Sequence, residues 1–300
     1  MGETSKVDLR PSSRHPVHPP ERVVTLLTAD GQRVSAAYDA PLSGATDGLA
    51  IVVAHGFTGS WRRPDNRAIA HALSAHAAVV SYDARGHGRS SGSTTLGDDE
   101  VLDLDAVAAW ARWLGATSVA TVGFSMGGSV VLRHAALTRR STREGADAVV
   151  SVSAAGFWFY KGTAPMRLLH TAVASPLGRG ILRHGFGTRV TATEWQEPYP
   201  LSPSESASLL APLPLLVVHG DRDTYFPLEH SRSIVQAARA GAVDRAVPDR
   251  SEEWVERGFA HAESAATPDL VDRIGRWCVS AVGHDAPGAA DGAVATGSTT

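Results

Sequence analysis

One cysteine, Cys278, stands in 300 residues, which excludes an intrachain disulfide and removes any need for an oxidising compartment. No apolar run approaches the roughly 20 residues of a membrane-spanning helix. The first residues, Met1-Gly2-Glu3-Thr4-Ser5-Lys6, lack the charged-then-apolar order of a secretion signal. Cytoplasmic residence with no transmembrane segment is the expectation. Neither sign of charge dominates: 28 Lys and Arg against 31 Asp and Glu leave a net charge of −3. With the two signs interspersed, the chain as a whole carries no electrostatic footprint for nucleic acid or for an anionic membrane. The 13 histidines include no H-E-x-x-H, and a lone cysteine cannot form C-x-x-C, so neither a metal site nor a cofactor is expected. No G-K-[ST] follows the glycine-rich turn at Gly123–Gly128 and Ser125 breaks G-x-G-x-x-G, which argues against nucleotide binding. Oligomeric state is unknown from the sequence.

What is present is an alternation of strand and helix. Residues 1–20 are polar and proline-rich and residues 284–300 are rich in Gly, Ala and Thr; both read as disordered tails around one domain spanning 21–283. Strands are predicted over Val23–Thr28 and Arg33–Tyr38, joined by the hairpin signal Ala29-Asp30-Gly31. Further strands follow at Leu49–Ala54, Ala78–Tyr82, Ser118–Val122, Ala148–Ser153 and Pro214–Gly220, with helices at Asp65–His76, Asp99–Leu114 and Ser129–Leu137. Such alternation argues for an α/β protein with a mostly parallel central sheet and helices on both faces.

Between the strand at 118–122 and the helix at 129–137 lies Gly123-Phe124-Ser125-Met126-Gly127-Gly128. In G-x-S-x-G the serine occupies a sharp strand-to-helix turn that exposes its hydroxyl, and the flanking glycines avoid collisions with the neighbouring backbone. A serine hydroxyl is protonated at neutral pH, so it needs a base, and the base needs an orienting group. The strand Pro214–Gly220 runs into Asp221-Arg222-Asp223, and Gly258-Phe259-Ala260-His261 places a histidine on a later loop. This is the order Ser, acid, His.

Four ordered blocks between about residues 49 and 265 resemble the α/β-hydrolase superfamily, within it the bacterial esterase- and lysophospholipase-like serine hydrolases. They are His55-Gly56-Phe57-Thr58-Gly59, Asp83-Ala84-Arg85-Gly86-His87-Gly88-Arg89-Ser90, the elbow, and His219-Gly220-Asp221-Arg222-Asp223 with Gly258-Phe259-Ala260-His261. The resemblance implies Ser125 as nucleophile, Asp223 as acid and His261 as base, with the backbone N–H groups of Phe57 and Met126 as the oxyanion hole. It implies a carboxylesterase-like hydrolase acting through an acyl-enzyme on a small-molecule substrate, a small ester. Relatives with the same triad cleave amides or peptides at a free N-terminus, thioesters or C–C bonds, and some bind ligands without catalysis. Asp221 is the rival acid, read as a turn-former after the strand. The chain departs from the pattern at Phe124, where many lipases and thioesterases carry histidine, and in the charged stretch Asp249–Arg257, longer than the usual loop before the histidine.

The region from about 157 to 210 interrupts the alternation and is read, by the same resemblance, as a small helical cap. Trp61, Phe157, Trp158 and Tyr160 are the expected apolar wall of the substrate cleft; the alternative is a set of helices that only add core. His55 and His87 are read as structural.

Overall fold

The computed structural model describes residues 19–42, 45–141 and 144–283. The expected tails therefore lie, apart from residues 19 and 20, outside the described residues. Eight strands form one sheet: β1 (Arg22–Leu27), β2 (Arg33–Asp39), β3 (Leu49–Ala54), β4 (Ala78–Tyr82), β5 (Ser118–Phe124), β6 (Ala148–Val152), β7 (Leu215–Gly220) and β8 (Ser251–Glu256). Their order is β1-β2-β4-β3-β5-β6-β7-β8. The β1–β2 and β2–β4 pairs are antiparallel and every later pair is parallel.

The inner strands are apolar on both faces, as a parallel sheet covered by helices requires. Along β3, Ile51 and Val53 point to one face and Ala50, Val52 and Ala54 to the other, a period of two. The first face packs on α1 (Pro64–Leu73) and α8 (Pro268–Gly283) through Ile69, Leu73, Ile274 and Cys278. The second packs on α2 (Glu100–Trp113), α3 (Met126–Arg139) and α7 (Glu229–Asp244) through Leu104, Val131, Leu132 and Ile234.

One expectation is corrected. The charged stretch Asp249–Arg257 is not a long loop, since its centre is strand β8, paired in register with β7 from Leu215↔Ser251 to Gly220↔Glu256. An edge strand tolerates charge because part of it faces water, and each of its glutamates has a partner. Glu252 accepts from Trp277 Nε1 at 2.8 Å, Glu253 from Ser231 Oγ at 2.8 Å, and Glu256 binds Arg273 at 2.8 and 3.0 Å. His261 thus follows a strand by a short connection. The apolar run at Ala242–Val247 begins as the end of α7, whose buried residues Ile234, Val235, Ala238, Gly241 and Ala242 recur at helical spacing.

Between β6 and β7 lie α4 (Ala164–Ala174), α5 (Pro176–Phe186) and the short α6 (Pro203–Ala207). The chain after α5 is stitched to the loop beyond β4: Thr94 N–H donates to Arg189 O, Arg189 N–H to Gly86 O, both at 2.7 Å, and Thr191 N–H to Thr94 O at 3.0 Å. Gly86 sits inside this seam at φ +75°, where a Cβ would lie 2.4 Å from both Arg189 O and Thr94 N. Only glycine fits there.

Among the histidines sealed in the fold are His87 and His219 at 0% and His230 at 1% exposure. Burial drives His87 down to about 3, with the neighbouring His55 adding to the shift. It drives His230 down to about 4, aided by His219. In an unfolded chain both rings titrate near 6.5. A histidine whose folded pKa lies below its unfolded one stabilises the fold fully above the unfolded value and loses that contribution as pH falls towards the folded value. Stability from urea midpoints should drop between about pH 6.5 and 4, by up to about 1.4 kcal/mol per pH unit for each ring. His230→Asn, whose amide oxygen takes the place of Nδ1 and can still accept the Gly156 N–H now held there at 2.9 Å, should flatten that fall; an unaltered slope would remove His230 from the account.

Candidate active site

The three predicted triad residues leave the carboxyl ends of adjacent parts of the sheet, where open α/β sheets place their ligands. Ser125 follows β5 directly and α3 begins at Met126. The turn has no room for side chains: a Cβ on Gly123 would lie 2.2 Å from Gly127 O, and one on Gly127 would lie 2.2 Å from Ala54 O. Ser125 itself takes φ 51°, ψ −113°, a left-handed backbone costing about 1–3 kcal/mol. Its N–H is held by Val152 O at 2.8 Å.

Asp223 lies three residues past β7 with its carboxyl group wholly buried. Oδ1 accepts the N–H groups of Tyr225 at 2.8 Å and Phe226 at 3.0 Å, and Oδ2 faces His261 Nδ1 at 2.8 Å. Burial alone would raise its pKa; the hydrogen bond from His261, the charge of that ring and the two backbone donors outweigh it and leave the pKa below the ordinary value. A carboxylate only accepts, so His261 carries its proton on Nδ1 and presents a bare Nε2. Ser125 Oγ lies 3.0 Å from that Nε2.

The loop carrying His261 is tied at both sides. Gly258 N–H donates to Asp221 Oδ1 at 2.6 Å, and Ala262 N–H to Ser153 Oγ at 3.2 Å. Asp221 therefore holds the loop and makes no contact with the imidazole, while its expected local turn bond is replaced by this longer reach. Tyr225 stacks on the His261 ring at 4.3 Å and 27°, a contact the sequence did not signal.

The Gly56–Thr58 loop shows why Phe57 is singled out. Ala84 N–H donates to His55 Nε2 at 3.0 Å, so Nδ1 carries the proton and donates to Gly56 O at 2.7 Å. Gly56 N–H is spent on Glu263 Oε1 at 2.6 Å and Thr58 N–H on His87 Nε2 at 3.2 Å. Among the described residues the intervening N–H of Phe57 has no protein acceptor. Met126 N–H, the first of a helix, is likewise without an intrahelical partner. Glu263 was not legible beforehand, since a carboxylate two residues after the histidine matches no general pattern.

The expected cleft residues divide. Phe157 stacks on His230 at 4.4 Å and Tyr160 meets it edge-on at 4.3 Å; His230 in turn touches Phe226, which lies 5.7 Å from His261. Trp158 turns the other way, packing on Trp195 at 5.1 Å and donating Nε1–H to Pro200 O at 2.9 Å. Trp61 is corrected outright. It is 6% exposed, its Nε1 lies 3.4 Å from Ser35 Oγ, and the Arg62 guanidinium stacks 3.9 Å above its ring. It packs inside the fold because its ring is the platform for Arg62, which pairs with Asp83 at 2.6 Å. Among the described residues no group of three or more His, Cys, Asp or Glu side chains could hold a metal ion, and no helix is long and apolar enough to cross a membrane.

Residues 50–173 match the family model of the α/β hydrolase fold. Among solved structures the chain is similar to an esterase of Pyrococcus furiosus, with 22% identity over 85% of this chain and 90% of that one and a TM-score of 0.63. It is similar to an α/β serine hydrolase without lid from Xanthomonas campestris, with 18% identity over 91% and 99% of the two chains and a TM-score of 0.55. Est1E of Butyrivibrio proteoclasticus, with ferulic acid bound, shares 19% identity over 86% and 97% with a TM-score of 0.54. No curated protein matches the chain. At these identities the likeness carries the fold alone, and it is the α/β-hydrolase fold that the family model describes over residues 50–173.

Proposed function

We propose that this protein is a serine hydrolase that cleaves a small carboxylic ester through an acyl-enzyme. The observation that carries the reading is the unbroken run Ser125 Oγ, His261 Nε2, His261 Nδ1, Asp223 Oδ2, with its two junctions at 3.0 and 2.8 Å. In the proposed cycle Ser125 Oγ attacks the ester carbonyl while its proton passes to His261 Nε2. Asp223 holds the ring tautomer and stabilises the imidazolium that forms. The free N–H groups of Phe57 and Met126 receive the oxyanion. His261 then returns the proton to the leaving alkoxide, and water, activated by the same nitrogen, releases the acid and restores Ser125. The triad serves amides and thioesters equally, and an ester is chosen because an esterase stands among the similar structures.

Ser125→Ala should abolish labelling by a fluorophosphonate and reduce p-nitrophenyl ester turnover to the residual level of binding and oxyanion contacts, while the melting temperature is held because only the Oγ is removed. Near-normal turnover in that variant would end the proposal.

Asp223→Asn should depress kcat by about 10⁴ by favouring the wrong tautomer. Asp221→Asn keeps an oxygen for Gly258 N–H and should leave kcat within a few-fold; the reverse ranking, read in steady-state kinetics, would move the acid to Asp221.

Chain-length preference tests the aromatic wall. Each buried CH₂ contributes about 0.8 kcal/mol, so kcat/KM should rise from acetate to short or medium acyl esters. Phe157→Ala with Tyr160→Ala should flatten that rise, whereas Trp158→Ala should lower the melting temperature and leave the profile's shape unchanged. A profile altered by Trp158 alone would place the wall on the Trp195 side.

A further inference from the structure

From Phe157 to Thr193 the chain has five cationic side chains, Lys161, Arg167, Arg179, Arg183 and Arg189, and none of its 31 acidic ones. The even mixture of charge over the whole sequence conceals this segment. Among the described residues none of the five pairs with a carboxylate. Arg167 donates to Lys161 O and Gly162 O, and Arg179 to Val173 O and Ala174 O, so backbone carbonyls orient these guanidinium groups without neutralising them.

The same segment exposes large aliphatic side chains. The helices α4 and α5 pack closely on each other, since a Cβ on Gly178 would lie 2.2 Å from Ala172 O. Their buried side is Met166, Gly178 and Leu182. The opposite side of α5 carries Leu177 at 77% and Ile181 at 57% exposure, one turn apart, with exposed His184 continuing the stripe and exposed Arg183 beside it. On α4 the exposed residues Ala164, Arg167, Leu168 and Thr171 recur at the same spacing, with Leu168 at 72%. An aliphatic stripe flanked by unpaired cations is the composition of a helix that lies in a lipid interface.

We propose that the α4–α5 hairpin docks this protein on an anionic lipid surface, with Leu177, Ile181 and Leu168 entering the headgroup–acyl boundary and Arg167 and Arg183 meeting lipid phosphates. Two other occupants fit less well. A second copy meeting the same face across a two-fold axis would bring five cations against five with no carboxylate in the segment to offset them. A nucleic acid would use the cations and leave three exposed aliphatic side chains without a partner. The proposal is independent of the catalytic reading and is tested without turnover.

The experiment is co-sedimentation of the full chain with vesicles of phosphatidylglycerol and phosphatidylcholine, and of phosphatidylcholine alone. At low salt the bound fraction should be about fivefold or more higher on the anionic vesicles, and it should fall as salt shortens the Debye length from about 30 Å to about 3 Å. Leu177→Ser with Ile181→Ser, and separately Arg167→Gln with Arg183→Gln, should each lower binding by a similar factor with the melting temperature unchanged. Equal sedimentation with both vesicle types, or undiminished binding by both double variants, overturns the proposal. So does a dimer in light scattering that Leu177→Ser with Ile181→Ser converts to monomer, which would give the face to a second copy. Retention of duplex DNA in place of vesicles would overturn it in favour of nucleic acid.

Discussion

Helix α3 begins one residue after β5 ends, and that abrupt join rests on backbone meeting backbone: Gly127 against the Ala54 carbonyl and Gly123 against the Gly127 carbonyl. A methyl group at either position would push the helix away from the sheet. With the helix displaced, Ser125 would lose its left-handed conformation and its N–H bond to Val152 O, and the hydroxyl would no longer stand 3.0 Å from His261. The strain at one residue is thus maintained by close packing at two others, which is how a fold holds a conformation that the residue alone would reject.

A second theme is the assignment of donors. Around Ser125 nearly every polar group is committed: His55 to Ala84 and Gly56, His87 to Thr58 and Arg85, Glu263 to Gly56, Asp221 to Gly258 and Ser153 to Ala262. These bonds cross from one loop to another, so the loops position each other and no single one is free to drift. What remains uncommitted is informative by subtraction, and at this site it is the two backbone N–H groups of Phe57 and Met126.

Much of this was legible from sequence, and the reasons differ by residue. The β3 and β4 boundaries fall where the apolar runs Leu49–Ala54 and Ala78–Tyr82 begin and end, because strands buried on both faces must be apolar throughout. Ser125 stands out through its G-x-S-x-G turn and Asp223 and His261 through the resemblance of their blocks to the family's, and the fold brings the three side chains together. The strand β8 was missed since an edge strand need not be apolar: Glu252, Glu253 and Glu256 find their partners on α7 and α8, far away in sequence. Trp61 and Trp158 misled for a related reason. An aromatic side chain near a site in sequence can face the core or the solvent, and only its partners, Ser35 and Arg62 in one case and Trp195 and Pro200 in the other, decide.

The seam joining Arg189 to Gly86 and Thr94, with Trp195 Nε1 bound to Thr95 O at 3.0 Å and its ring against Trp158, clasps the chain where it leaves the sheet and where it returns. The residues between form a closed loop fastened at its neck. Lengthening or replacing such a loop adds only about 0.6 kcal/mol of closure entropy for each doubling, so the hairpin can be rebuilt from one homologue to the next while the neck keeps the loops around Ser125 undisturbed. Variation in length and character is therefore expected to concentrate between residues 161 and 187, and the clasp marks the points at which one such insert could be exchanged for another.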